Sequence, residues 1–302
     1  MLDLKKIREN PKKFKDLISL KEKDVSLKKI IDLDSQLKSL VSKLNNLQAD
    51  QNNKSKEIGI MKSKGEKTND LFSDLKKLSD EIKLLEKEEK KISLSLKEEL
   101  LQIPNIPHST VPIGLSEKDN VIKVDCDEKK KFNFKPRNHI DLGKGLDILD
   151  FESAAKISGS GFPMFKGKGA LLERALISFM IDFSLKNYNY TEFFTPFMVK
   201  PDSALTTGQL PKFDDDMYYI EKDDLFLIPT AEVSLTNIHK DEILQNEELP
   251  KYYLGYSSCF RREAGSYGKD TRGLLRVHQF NKVELVKFVE PSRSYEELES
   301  LV

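Results

Sequence analysis

The chain is short of the features that would assign it to a class at once. Only two cysteines occur in 302 residues, Cys126 and Cys259, and neither sits in a CxxC pair. That spacing excludes a disulfide framework and a structural zinc site, and it suits a reducing cytoplasm. No apolar run approaches the roughly 20 residues that a bilayer crossing requires. The first residues, MLDLKKIREN, are charged from position 3, so neither membrane insertion nor export is expected. There is no internal repeat, no metal-ligand cluster and no glycine-rich phosphate loop of the Walker or dinucleotide kind. Net charge is lacking too: 50 basic residues face 50 acidic ones, which argues neither for nor against a nucleic-acid partner.

What is present is a chain 38% hydrophobic, enough for a packed core and long enough for one large and one smaller domain. Its charges are unevenly spread. Residues 1–100 hold 24 Lys/Arg against 19 Asp/Glu, leaving the remainder mildly acidic. In that basic third, Ile30, Leu33, Leu37, Leu40, Leu44, Leu47, Gln51, Lys54, Ile58 and Met61 recur at steps of three and four. A second seam runs Leu71, Leu75, Leu78, Ile82, Leu85, Glu89, Ile92, Leu96 and Glu99. Between them Gly65 can end one helix, and Thr68 or Asn69 can cap the next. The pattern predicts an antiparallel helical hairpin, a coiled-coil arm whose first helix would reach about 57 Å. Its lysine-rich outer faces stay wet, and a plain spacer or dimerising coiled coil explains the periodicity equally well. Ahead of the arm, Asn10-Pro11 suits an N-cap followed by a first-turn proline.

Pro104, Pro107 and Pro112 end the helical pattern, placing a domain boundary near residue 103. Beyond it the periodicity is mixed. FESAAKI and GALLERALISFMIDFSLKNY have helical spacing, with Leu172, Leu176, Phe179 and Phe183 on one face. TEFFTPFMV, MYYIE, LFLIPT, KYYLGYSSCFRRE and VHQFNKVELVKF alternate, or are rich in aromatic and β-branched residues, as strands are. The strands follow one another without regular helices between them, so the expected class is α+β with an antiparallel sheet, over residues 104–302.

The segment YSSCFRREAGSYGKDTRGLLRVHQFNKVELVKF carries the chemistry. Two strands flank a loop of glycine and small polar residues. Residues two apart share a strand face, so Arg276, His278, Phe280, Lys282 and Glu284 point one way and Arg261 and Glu263 do likewise on the first strand. If those faces coincide, guanidinium groups, an aromatic ring and carboxylates meet on one surface. Arg261 can hold a phosphate in a bidentate fork, Phe280 offers a flat surface to a purine, and Glu284 suits an ammonium or hydroxyl group. His278 has the chemistry of a general base, although a histidine in a charged strand is more often structural. An exposed strand whose charges simply pair with one another is the other reading.

FRREAGSYGKDTRGLLRVHQF resembles motif 2 of class II aminoacyl-tRNA synthetases in the form found in seryl-tRNA synthetases. LIPTAEVSLTN resembles the Thr-x-Glu element of that family, as Thr230-Ala231-Glu232. TTGQLPKF and IPNIPHSTVP resemble its loop and inter-domain connector, and the stretch ending at Pro196 resembles motif 1. The resemblance spans nearly the whole chain. It implies ATP-dependent activation of L-serine to seryl-adenylate and transfer to tRNA(Ser), and to the selenocysteine tRNA, with Mg²⁺ accompanying ATP. Arg261, Arg262 and Glu263 would contact ATP, Arg261 at the α-phosphate as the catalytic cation. Val277 would border the nucleotide through its backbone and Phe280 would stack on adenine. Thr230, Ala231, Glu232 and Glu284 would form the serine pocket, the partner of each carboxylate left open. The arm, residues 1–103, becomes a tRNA-binding domain with Lys43, Lys54, Lys56, Lys83 and Lys87 as phosphate contacts. Motif 1 implies a homodimer across Leu171–Met198, and the setting would be cytoplasmic.

Two departures from the family pattern stand out. Gly161 replaces an arginine usual in the segment AAKISGSxF. Nothing after Phe288 resembles motif 3 or the family's Mg²⁺-binding acidic residue, so the chain reads as a synthetase truncated before motif 3, with weak or no serine-dependent pyrophosphate exchange of its own. A non-catalytic tRNA-binding paralogue that keeps the arm is the alternative.

Overall fold

The computed structural model describes residues 2–23, 25–65, 69–114, 116–124, 130–264 and 272–302. The chain divides into two compact units, Met1–Lys129 and Lys130–Val302.

In the first unit, α1 (Leu4–Glu9) and α2 (Pro11–Ser19) meet at Asn10, whose side chain accepts the Lys13 N–H at 3.0 Å while Pro11 occupies the first helical position. The long helices α3 (Lys28–Ser63) and α4 (Asn69–Leu101) pack along each other. At 1.5 Å per residue the 36 residues of α3 span about 54 Å. Gly65 ends α3 with φ +75°, as its lack of a Cβ permits. Thr68, the other expected cap, lies outside the described residues.

The seams are buried where the heptads place them. At the base Ile7, Ile18, Leu27, Ile30, Leu96 and Leu100 form one core, and further along Leu44, Leu78, Ile82 and Leu85 form another. Asp34 is buried against the base as a partner of Arg8, Nε to Oδ2 3.2 Å. Of the polar seam positions, Glu99 pairs across the hairpin with Lys29 at 2.6 Å and Lys54 pairs within α3 with Asp50 at 3.2 Å.

The second unit holds α5 (His139–Gly145), α6 (Phe151–Ser158) and α7 (Lys168–Tyr188). Two three-stranded sheets follow. One has the order β1 (Thr191–Phe193), β5 (Lys251–Phe260), β6 (Gln279–Phe288). The other is β2 (Met198–Val199), β4 (Leu225–Leu227), β3 (Tyr219–Ile220). TEFFTPFMV therefore is two strands, because Pro196 cannot donate to a ladder and the chain changes sheets there. The β5–β6 and both smaller pairings are antiparallel as expected. β1 departs from that expectation, lying parallel to β5 with Thr191 opposite Tyr253.

Helices α8 (Pro201–Thr206) and α9 (Ala231–Thr236) lie between these strands, and Val199, Ala204, Met217, Phe226, Ile228 and Val233 pack as one core. α9 rests on the β5–β6 face, where Gly255 admits it: a Cβ there would lie 3.1 Å from the Leu235 side chain. No helix among the described residues is long and apolar enough to cross a membrane.

The last helix, α10 (Ser294–Glu299), is tied to the hairpin through the buried Glu297, which accepts from Tyr252 Oη at 2.7 Å, Lys287 Nζ at 3.0 Å and Arg293 at 3.1 Å. The Tyr252 hydroxyl, then Lys287, holds the Glu297 carboxyl below its ordinary value of 4.5. A carboxylate depressed on folding adds stability that is full above its ordinary value and is lost as pH falls through the lowered one. Urea titrations across pH 7 to 3 should show that loss on the acid side. Glu297→Gln should unfold more easily at pH 7 and show a flatter acid limb; an unchanged limb would remove Glu297 from the account.

Candidate active site

The site is built by one register. Phe260 faces Gln279, Cys259 faces Phe280, Ser257 faces Lys282 and Gly255 faces Glu284. Pairing continues one step past the strand ends, where the Arg261 N–H donates to the His278 carbonyl at 2.9 Å. Arg261 thus falls on the same face as Phe280, Lys282 and Glu284, the arrangement the alternation predicts, whereas Glu263 and Arg276 lie beyond the strand ends. The side chains then make contact across it. Arg276 donates to Glu263 Oε2 at 2.8 Å, and the Arg261 guanidinium lies 5.0 Å above the Phe280 ring centroid while its Nε donates to the Pro229 carbonyl at 3.3 Å.

Gln209, Asp216, Thr230, Arg261, Glu263 and Arg276 line a cleft of about 310 Å³. Glu263 sits there at φ +53°, a conformation costly for a non-glycine residue. Asp216 secures the turn around it: its carbonyl accepts the Arg262 N–H at 2.8 Å and its carboxylate the Ala264 N–H at 2.7 Å. Nothing in the residue alternation marks Asp216. The only signal was the run Asp214-Asp215-Asp216 just after TTGQLPKF.

At one edge of the cleft Thr230 is buried and caps α9, its hydroxyl accepting the Glu232 N–H at 3.4 Å. That hydroxyl donates to Glu284 Oε2, and Lys282 Nζ reaches both, 2.8 Å from Thr230 Oγ1 and 2.5 Å from Glu284 Oε2. Ala231 is fully buried, whereas Glu232 is exposed on α9. Lys282 was seen on the face in sequence but given no part there.

Other expected site residues lie apart from this cleft. The Arg262 guanidinium sits 5.6 Å over the Tyr218 ring and borders a separate hollow with Asp214, Asp215 and Asp224. Val277 and Phe280 line a third hollow, with Glu173 and Asn281. Residues 265–271 of the intervening loop lie outside the described residues. His278 is held structurally: its Nδ1 is 3.0 Å from the Arg261 carbonyl, and its N–H donates to the Gly161 carbonyl at 2.8 Å. A Cβ at Gly161 would lie 2.6 Å from the His278 ring, and φ there is +81°, so this chain has no room for the family's arginine at that position.

On the arm, Lys43 pairs with Glu81 at 2.9 Å and Lys54 with Asp50, while Lys56, Lys83 and Lys87 are exposed and make no ion pair among the described residues. On α7, Leu172, Leu176, Phe179 and Phe183 are all exposed and form a continuous apolar face.

Comparison with known proteins agrees with this organisation. Residues 1–107 match the family described as the seryl-tRNA synthetase N-terminal domain, and residues 213–302 match the tRNA synthetase class II core domain (G, H, P, S and T). The chain is 52% identical to a serine–tRNA ligase of Chloroherpeton thalassium and 49% identical to one of Finegoldia magna. In both alignments all of this chain and 72% of the relative are covered. Among solved structures, a seryl-tRNA synthetase of Pyrococcus horikoshii complexed with ATP superposes with a TM-score of 0.84 at 34% identity, covering 100% of this chain and 72% of that one. A cytoplasmic serine–tRNA ligase of Naegleria fowleri in complex with AMP gives 0.80 at 31%, covering 99% and 70%.

Cys259 is fully buried opposite Phe280, and burial pushes its thiol up. Iodoacetamide at pH 8 should label its peptide only after denaturant is added, as read by mass spectrometry. Ready labelling of the native protein would mean that the strand pair opens.

Proposed function

This chain belongs to the seryl-tRNA synthetase family, and from that premise we propose how its site activates L-serine with ATP and passes the seryl group to tRNA(Ser). In the first step the serine carboxylate attacks the α-phosphorus of ATP, forming seryl-adenylate and releasing pyrophosphate. In the second, the terminal ribose hydroxyl of the tRNA attacks the seryl carbonyl and AMP leaves.

The observation that carries the assignment of roles is that guanidinium groups, ring and carboxylates converge on one face of the β5–β6 hairpin beside the cleft. Arg261 is the group for the α-phosphate, where a fixed cation lowers the barrier by meeting charge as it develops. Phe280 supplies the adenine platform, with Val277 beside it, and Glu263 and Arg262 flank the nucleotide. Arg261 rests on Phe280 in this structure, so it leaves the ring when purine and phosphate enter. Mg²⁺ is placed with the nucleotide, because it dehydrates reluctantly and is held largely by phosphate oxygens and water. Thr230, Ala231, Glu232 and Glu284 form the serine pocket.

The N-terminal domain, residues 1–103, grips tRNA by its backbone, and Lys56, Lys83 and Lys87, which make no ion pair among the described residues, are better placed for this than Lys43 and Lys54, which already hold carboxylates. The exposed apolar face of α7 supports a homodimer through the Leu171–Met198 region. The reaction is placed in the cytoplasm.

Serine-dependent pyrophosphate exchange by the purified protein tests the first step. Arg261→Ala should lower serine-dependent exchange by about 10² to 10³, and alanine should be rejected by about 10⁴ because buried polar groups would lose their partner. Alanine supporting exchange as well as serine does would sink the serine assignment. Replacing Lys56, Lys83 and Lys87 together by Glu should raise the KM for tRNA and flatten its salt dependence while exchange stays unchanged. In light scattering, Phe179→Asp should shift a dimer toward monomer.

A further inference from the structure

The segment Leu274–His278 lies ahead of β6 and gives side chains to two hollows at once. Arg276 lines the cleft with Arg261 and Glu263, while Leu274 and Val277 line the neighbouring hollow of about 380 Å³ with Phe280. Outside regular structure, backbone groups must find their partners elsewhere in the fold. At one end of the segment the His278 N–H donates to the Gly161 carbonyl at 2.8 Å. At the other, the Leu274 N–H donates at 2.9 Å to Nε2 of His139, 135 residues earlier in the chain. A backbone N–H only donates, so Nε2 is the bare nitrogen of that ring and its proton sits on Nδ1.

The contact is fitted from both sides. Gly273, at φ +74°, brings the chain against the ring, and a Cβ there would lie 2.0 Å from His139 Nε2. His139 opens α5, whose start is fixed by the Asn138 side chain accepting the Asp141 N–H at 2.9 Å. The far end of α5 is tied down as well: the Gly143 carbonyl accepts the Ile148 N–H at 2.9 Å, and Leu149 bridges to Phe165, which lines the same hollow as Val277. The ring is therefore an acceptor on a fixed support. A shift of Leu274 would carry Arg276 off Glu263 and Val277 out of the hollow it shares with Phe280, whereas Thr230, Lys282 and Glu284 are placed by α9 and the β5–β6 ladder. We propose that His139 is a positioning residue for the nucleotide: through the Leu274 N–H it holds the Leu274–Val277 backbone where Val277 borders the adenine and Arg276 orients Glu263. This assignment rests on the nucleotide roles given above.

The test pairs a readout of the contact with kinetics of the purified protein. In His139→Ala, amide hydrogen exchange of the peptide spanning Leu274–Val277, followed by mass spectrometry, should quicken by about tenfold. In serine-dependent pyrophosphate exchange the KM for ATP should rise by about tenfold while the KM for serine stays within about twofold. His139→Gln, whose side-chain oxygen reaches the same N–H, should restore most of both readings, and the shorter His139→Asn should not. Gly273→Ala should reproduce the ATP defect from the other side by driving a Cβ into the ring. If His139→Ala does not fold, Gly273→Ala against wild type carries the same two readings. Equal losses for ATP and serine, His139→Gln no better than His139→Ala, or unchanged hydrogen exchange would overturn the proposal. A wild type without serine-dependent exchange would overturn the functional reading itself, a result recognisable before any variant is made.

Discussion

Ten residue pairs between β5 and β6 set which charged side chains meet beside the cleft. In a strand pair the side-chain period is two, so a slip of one residue would send each functional group to the opposite face. Here the register is secured on both faces: Leu254 is fully buried on the opposite face, and on the functional face Cys259 is fully buried opposite Phe280 and Gly255 lets α9 settle against the sheet. Arg261 then shares a surface with Phe280, Lys282 and Glu284, while Glu263 meets Arg276 through the turn that Asp216 secures. The same docking of α9 brings Thr230, its cap, over Lys282 and Glu284. Placement of the pocket is thus a by-product of how the core closes.

The cleft does not hold bare charges. Arg276 lies on Glu263, Lys282 on Glu284, and Arg261 on the face of Phe280. Such pairs keep side chains in place before a substrate arrives, which is what electrostatic preorganisation requires. Under the proposed roles, substrate binding is an exchange of partners, with each incoming group competing against a contact already made.

Much of this was legible in the sequence because it depends on period. The two seams of the arm, the Asn10-Pro11 helix start, the Gly65 stop and the shared face of Arg276, Phe280 and Glu284 all follow from spacing alone, and long family motifs supplied the reaction. What was not legible depends on reach. Asp34 breaks the apolar rule at the arm's base because Arg8, distant in sequence, neutralises it. Arg262 follows Arg261 by one residue and so points to the other side, over Tyr218. TEFFTPFMV reads as one strand, yet Pro196 splits it between two sheets, and β1 runs parallel to β5 because their connection passes through the second sheet and α9. Asp216 lacked any periodic signature, and Lys282, although alternation puts it on the shared face, takes its importance from Thr230, a partner contributed by another segment.

Gly161 shows how such long-range fitting constrains the chain's history. Its carbonyl receives the N–H of His278 and its empty side is filled by that histidine's ring, so the two positions occupy one volume. A side chain cannot appear at 161 unless 278 shrinks or its strand end shifts, and the positive φ must change as well. The two positions are therefore free to change only together.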